Sequence, residues 1–540
     1  MLKGKKEEIH MKSKLIAGII VTMFLVTMVF SGVSVRATVQ TIRVGVVGPK
    51  GMVQWESQIG GAQIALPKAE ALLGTDYAIE LVEIDEAAYP VVNPAQAYIN
   101  MLTALSTPPG LDFIVGGFRT ECVYGMMNAM HNYYLANNGT GNKQPVWYIS
   151  GAATDALMNP VLRPYLFRVA PVNSTSLVAT LIAFLAGWVL PHKLIPIYGL
   201  PVKTYIVAEN LVWCDIMPTL LQYYLNNNTG VYPLCDFVGV ARPAWDETDF
   251  SALLSDIESK KARLVIHIFS DVTGVFFIRQ WGKRQISAVP VGINMLSQMS
   301  EIWWGTAARC EYETLLAYVG TPTPISQAWG TSETTDFWDD FVNLKGHPPI
   351  YTAFGTHDSV MAFSEFLKYN ATSWPMNYSA YVPILEQTVR RGLLGTFKFT
   401  SNHDVYSVDI GPTWSPPYYV RPQIVQWQTY KKDPMEVVWP RDQVYSKKYK
   451  IPPWMYDKAE TDWYGALDLQ TGQPTIGPDG LVDVGDVFYA AFRWQQAPYP
   501  YLEADMDGNN FINMFDISTI VSDYGYNAGK PENYGQWPLP

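Results

Sequence analysis

Residues 113–121 read FIVGGFRTE and residues 146–154 read VWYISGAAT. In each, a short run of β-branched and aromatic residues gives way to small residues and then to polar ones, the order of a strand, a tight turn and the start of a helix. Neither strand run has a polar face. A strand without one must be covered on both sides, as it is in a parallel sheet sandwiched between crossover helices. The flanking sequence repeats the pattern. Further β-rich runs lie at 42–47, 79–84, 166–169, 204–207, 237–240, 264–269 and 289–293, and segments with apolar residues at helical spacing fall at 63–73, 95–105, 122–135, 177–190 and 215–225. This alternation predicts βαβ units and an α/β fold.

Ligands of such sheets collect beyond the carboxyl ends of the strands. The turns found there are Gly48-Pro49-Lys50-Gly51, the turn from Gly116 to Glu121, and Ser150-Gly151-Ala152-Ala153-Thr154. Backbone N–H groups of Ala152, Ala153 and Thr154, expected at a helix N-terminus, suit an anionic group such as an α-carboxylate, with the Thr154 hydroxyl as a further donor. The plainer role for that turn is a helix cap. Arg119 and Thr120 occupy the neighbouring turn, and Arg119 is expected to pair with a ligand carboxylate or else with Glu121 or Asp155. Glu209 and Asp271, at the ends of two later strands, are candidate partners for an ammonium group, or caps of the helices that follow. Trp55 is a candidate aromatic wall, and an exposed rim would suit it nearly as well.

The order of the GGFRTE turn, the SGAAT turn, YLFRVAP at 165–171 and AENLVWCD at 208–215 resembles the leucine/isoleucine/valine-binding branch of type I periplasmic solute-binding proteins. GLLGTFKF at 392–399 and the strand at 423–427 resemble that family's closing segments, so the likeness covers roughly residues 40–430. It implies two Rossmann-like lobes with parallel sheets, joined by a three-crossing hinge, with crossings near 168–171, near Asn294 and within 370–383. Lobe 1 would comprise about 41–170 and 295–372, and lobe 2 about 171–294 and 373–430. It also implies a non-enzymatic component of an ABC-type importer, which captures an amino-acid-like or other carboxylate-bearing solute for a membrane permease. Trp213 stands where the family often has a Tyr that packs on the ligand, and Arg119 stands where it more often has a small hydroxyl residue.

The net charge of -11, from 38 basic and 49 acidic residues, argues against a nucleic-acid or anionic-membrane partner, since both require a positive face. Hydrophobic residues at 48% and charged residues at 16% exclude a disordered chain and provide for a large core. Residues 1–37 combine a basic start, an apolar run at 15–30 and small residues ending at Ala37, and so read as a secretory signal, with an uncleaved anchor as the alternative. A secreted or cell-surface location follows. Cys122, Cys214, Cys235 and Cys310 lack the spacing of a zinc site; in an exported chain Cys214 and Cys235 are candidates for a disulfide, or the thiols are simply buried. Sequons at Asn138, Asn173, Asn227, Asn370 and Asn377 suit a glycosylated exterior. No nucleophile elbow, HExxH or phosphate loop is present. A glycosidase with paired carboxylates is the enzymatic alternative, and an extracellular sensor the other.

A linker is expected at 431–465 and a small calcium module at 466–530. Asp505, Asp507, Asn509, Asn513 and Asp516 place side-chain oxygens at positions one, three, five, nine and twelve of a loop whose seventh carbonyl belongs to Phe511. An upstream copy keeps Asp479, Asp483 and Asp486 and is degenerate. Each loop precedes one helical pattern, and the pair resembles a type I dockerin, which implies bound calcium and a cohesin-like partner. An Asp/Asn-rich surface turn is the alternative.

Overall fold

β1 (Gln40–Gly48) runs through the centre of the first lobe, in parallel with β2 (Tyr77–Asp85) on one side and β3 (Phe113–Gly116) on the other. Its side chains alternate between two cores: Ile42, Val44 and Val46 enter one, and Val47 enters the other. In this computed structural model the described residues are 39–138, 140–170, 172–227, 233–299, 301–317, 332–370, 377–406, 423–428, 435–439 and 449–455, with a short paired segment at 467–468 and 473–474. The N-terminal signal and both calcium loops, including every metal candidate from Asp479 to Asp516, lie outside them.

β4 (Val146–Ile149) and β5 (Leu166–Arg168) complete a parallel sheet of order 2-1-3-4-5. α1 (Val53–Leu73) covers one face, while α2 (Pro94–Ser106) and α3 (Thr120–Ala136) cover the other. After β5 the chain crosses into α4 (Ser174–Phe184), which continues as wide π-helical turns over Leu185–Leu194 and ends at Ile195–Tyr198. Pro191 lies within the wide turns and has no N–H to give to an α-helical ladder.

The second lobe follows with β6 (Val202–Ala208), α5 (Met217–Asn227), β7 (Cys235–Ala241), α6 (Ser251–Ser259), β8 (Leu264–Phe269), α7 (Val272–Arg284) and β9 (Val289–Asn294). After α8 (Glu301–Gly305), β10 (Thr314–Ala317) pairs in parallel with β9. The chain therefore stays in this lobe beyond Asn294, and the crossing expected there falls after β10.

α9 (Ser332–Lys345) and α10 (Tyr351–Asn370) return to the first lobe, with Lys345 bridged to Glu56 at 3.1 Å. α10 lies so close to α1 that a Cβ on Gly61 would sit 2.1 Å from the Ala353 carbonyl oxygen. α11 (Tyr378–Leu385) and the hairpin of β11 (Val389–Arg391) and β12 (Thr396–Lys398) also remain with the first lobe. Arg168 N–H donates to His403 O and Val405 N–H to Arg168 O, so residues 403–405 extend the edge beside β5. The third crossing thus falls after residue 406, not within 370–383.

β13 (Gln423–Trp427) joins β10 antiparallel, and β14 (Met435–Trp439) joins β13, giving the order 14-13-10-9-8-6-7. Residues 449–455 close the lobe: Trp454 donates to Ile286 O at 3.1 Å, and Tyr198 OH donates to Met455 O at 2.7 Å. Part of the expected linker is therefore second-lobe structure. Its apolar run Met435 to Trp439 needs only β13 as partner and carries no helical or repeat signal of its own.

Candidate functional site

Both lobes are wound alike. The first has order 2-1-3-4-5 and the second 7-6-8-9-10 before its edge strands, so strand order reverses between β1 and β3 and again between β6 and β8. A crevice opens at the carboxyl ends at each reversal. The two crevices face each other, because side chains after β3 bond to residues after β6 and β8: Glu121 accepts from Val212 N–H at 2.8 Å, and Arg119 reaches Ser270 and Asp271.

The first-lobe turn depends on its glycines. Gly116 and Gly117 have φ of 92° and 94°, and a Cβ on Gly116 would lie 2.2 Å from Val47 O. Glu86, just past β2, then accepts the N–H groups of Phe118 at 2.7 Å and Arg119 at 2.8 Å, fixing the turn before α3 begins. Arg119 is only 1% exposed. Its Nη1 donates to Ser270 Oγ at 3.0 Å and its Nη2 to Asp271 Oδ2 at 3.2 Å, across the cleft. Its guanidinium carbon lies 5.4 Å from the Phe118 ring centroid and 5.8 Å from that of Trp245. Glu209 accepts from the Ser270 hydroxyl, from Ser270 N–H at 3.0 Å and from Trp213 Nε1 at 2.5 Å.

Three buried carboxyls thus surround Arg119: Asp271 bonded to its guanidinium, Glu209 behind the Ser270 hydroxyl and Glu86 on its backbone N–H. Burial pushes Glu86 up to about 7, although the two N–H donors and the Arg119 charge pull the other way. Burial likewise raises Glu209 and Asp271 against the same cation.

A cavity of about 30 Å³ lies beside this cluster. Phe118, Arg119, Thr120, Gly151, Ala153 and Tyr351 line it from the first lobe, Val172 from the crossing, Leu177 from α4, and Trp213, Ser270, Ile293, Met295, Gln298 and Leu316 from the second lobe. Thr120 Oγ1, Gln298 Oε1, Arg119 Nε and Glu209 Oε2 are buried without a hydrogen-bond partner among the described residues. Buried polar atoms are rarely left so, and several around one cavity mark a place where a bound molecule supplies partners.

Of the sequence candidates, Arg119, Thr120, Ala153 and Trp213 line this cavity, with Asp271 and Glu209 immediately behind. Asp271 also caps α7 through Val272 N–H, so the capping role and the cleft role coincide. Ala152 is buried in the adjoining core and Thr154 is half-buried. The segment after Thr154 is a single 3-10 turn, Asp155–Leu157, not the expected α-helix, so no macrodipole backs the turn. Arg168 holds it instead, donating to Ala153 O at 2.6 Å and Thr154 O at 2.8 Å while its Nε lies 3.0 Å from Asp404 Oδ1. Trp55 is no wall of the cleft. It sits 7% exposed in the first-lobe core. Arg119 pairs with neither Glu121 nor Asp155 but with Asp271. All four cysteines are buried free thiols, so Cys214 and Cys235 form no disulfide.

Glu86, Ser270, Tyr351 and Gln298 escaped the sequence reading. Glu86 and Ser270 follow directly on strand ends and the strand-end rule finds them; Tyr351 and Gln298 carry no local signal.

No protein-family model matches the chain, and no curated protein matches it. Solved structures do. A solute-binding protein of an ABC transporter from R. palustris, in complex with benzoate, matches at 14% identity and TM-score 0.56, over 74% of this chain and 95% of that one. A branched-chain amino acid transporter substrate-binding protein from Streptococcus pneumoniae, in complex with isoleucine, matches at 15% identity and TM-score 0.55, over 74% and 99%. A putative branched-chain amino acid ABC transporter protein from Silicibacter pomeroyi gives 14% and 0.58, over 77% and 100%. The architecture is that of the two-lobed α/β solute-binding proteins. More narrowly, it is the type I periplasmic-binding fold.

Proposed function

We propose that this protein is the extracellular solute-binding component of an ABC-type importer, which closes two lobes on one small solute and presents it to a membrane permease. The observation that carries the reading is the pair of facing crevices, which enclose a cavity rimmed by buried polar atoms from both lobes that have no hydrogen-bond partner among the described residues. The mostly apolar lining with a few polar atoms at its edge suits solutes of the amino-acid-like or carboxylate-bearing class. On this reading the chain binds and releases without chemistry, outside the cell. The dockerin-like segment is proposed to hold calcium through Asp505, Asp507, Asn509, Phe511, Asn513 and Asp516, and to dock on a cohesin-like domain.

Thermal-shift screening of the full chain against amino acids, amides, short peptides, sugars and aromatic acids tests it. A true solute present at a hundred times its Kd stabilises by about 2.7 kcal/mol. If no solute class raises the melting point of the folded protein, the reading fails.

A further inference from the structure

At about 30 Å³ the cavity falls well short of the roughly 300–1,000 Å³ of ordinary small-molecule sites, so a solute must take room that the cleft now gives to a side chain. That side chain is Arg119. It leaves the first lobe, and its charged end rests in the second against Ser270 and Asp271, with Glu209 one hydroxyl further on. Phe118 and Trp245 present ring faces to it. Carboxylates, a hydroxyl acceptor and aromatic faces are the surroundings a bound cation requires.

The charges there are unequal. Arg119 serves Asp271, Glu209 and, through its own turn, Glu86, while Arg242 of the second lobe is taken up by Asp215 at 2.6 Å. If Arg119 withdraws as the lobes part, the second-lobe carboxyls lose their counter-charge, and a neutral or anionic solute does not restore it. Independent of the charges, Thr120 Oγ1 and Gln298 Oε1 line the cavity at 1% and 7% residue exposure without partners among the described residues, so the cavity already holds polar atoms for the rest of a ligand.

Resting on the solute-binding reading above, we infer that the Arg119 guanidinium stands in for a cationic group of the solute: the cleft takes solutes with an ammonium or guanidinium head, which displaces Arg119 from Ser270 and Asp271.

Calorimetry of the full chain tests this with two sets of probes, putrescine, agmatine, choline, lysine and arginine against leucine, benzoate and glutarate. The cationic set is expected to contain the tightest binder, by at least tenfold. Arg119→Met removes the internal competitor and should tighten that binder at least tenfold, while Asp271→Asn should weaken it by a similar factor. A neutral or anionic probe that binds best overturns the inference, and this arm needs no variant to fold. So does a folded Arg119→Met protein whose affinity is unchanged or lower, which would make Arg119 a direct partner of the solute. Failure of every probe to bind the wild-type protein would instead count against the transport reading itself.

Discussion

Glu86→Gln should change how stability depends on pH. The Glu86 carboxyl is completely buried and titrates near 7 in the folded protein, against 4.5 when exposed. Between those values the folded chain keeps a proton that the unfolded chain has lost, so unfolding releases it and stability falls as pH rises. The contribution is fully present below about pH 4.5 and gone above about pH 7. At 1.36 kcal/mol per pH unit the fall amounts to about 3 kcal/mol. Glutamine does not titrate. It also offers one acceptor to the two N–H groups of Phe118 and Arg119, a fixed loss of about 1–3 kcal/mol at every pH. Urea unfolding, followed by tryptophan fluorescence at half-unit steps from pH 4.5 to 8, separates the slope from this offset. The wild-type advantage over Glu86→Gln should shrink by about 3 kcal/mol across the range. Parallel curves would refute the reasoning. An advantage that grows with pH would mean that the two N–H donors and the Arg119 charge outweigh burial.

Arg168→Met removes the cation paired with the buried Asp404, which keeps only Asn173 as donor among the described residues, and takes one donor from Ala153 O and the side-chain donor of Thr154 O. It should cost about 3–5 kcal/mol in unfolding experiments while also weakening solute binding, and an unchanged melting point would contradict it. Gly61→Ala drives a methyl into the backbone of α10, and should lower stability by about 1–3 kcal/mol in the same assay, whereas a neutral result would mean that α1 and α10 separate freely. Trp213→Ala should reduce solute affinity more than Thr154→Ala, since only the first removes a wall of the cavity; calorimetry giving the reverse order would misplace the cleft. Calcium titration of the full chain should find one tight ion, lost in Asp505→Ala and Asp516→Ala, because the loop at Asp479 lacks carboxylates at its first and third positions; no bound ion would make the segment a polar turn.

The central strands β1, β3, β4, β6, β8 and β9 were legible because each is largely buried on both sides and reads as an apolar run. The edge strands β2 and β7 were legible by their β-branched residues, whereas β10 and β14 were not read as strands. The lobe boundaries were not legible. β10 pairs with β9 through only four residues, Thr314 to Ala317, and nothing in Asn294 announces that the chain remains in its lobe. The strand-end rule singled out Arg119, Glu209 and Asp271, and the family resemblance Trp213; the structure brings the four together because the two strand reversals face each other. The partners that the sequence offered Arg119 within the chain, Glu121 and Asp155, were local ones, and Asp271 was missed because it lies 152 residues away and pairing over that distance is decided by how two lobes meet. Trp55 misled for the opposite reason: an aromatic residue early in a helix after a strand serves a core as readily as a cleft.

Residues 449–455 have a consequence for whatever is joined to them. They settle beside Ile286, Trp281 and Tyr198, at the amino ends of the second-lobe strands, whereas the cleft mouth lies at the carboxyl ends. Cargo carried beyond Met455 is therefore moored to one half of the clam and at the pole remote from its opening. If the lobes close on a solute as proposed, that mooring travels with the second lobe and leaves the entrance clear.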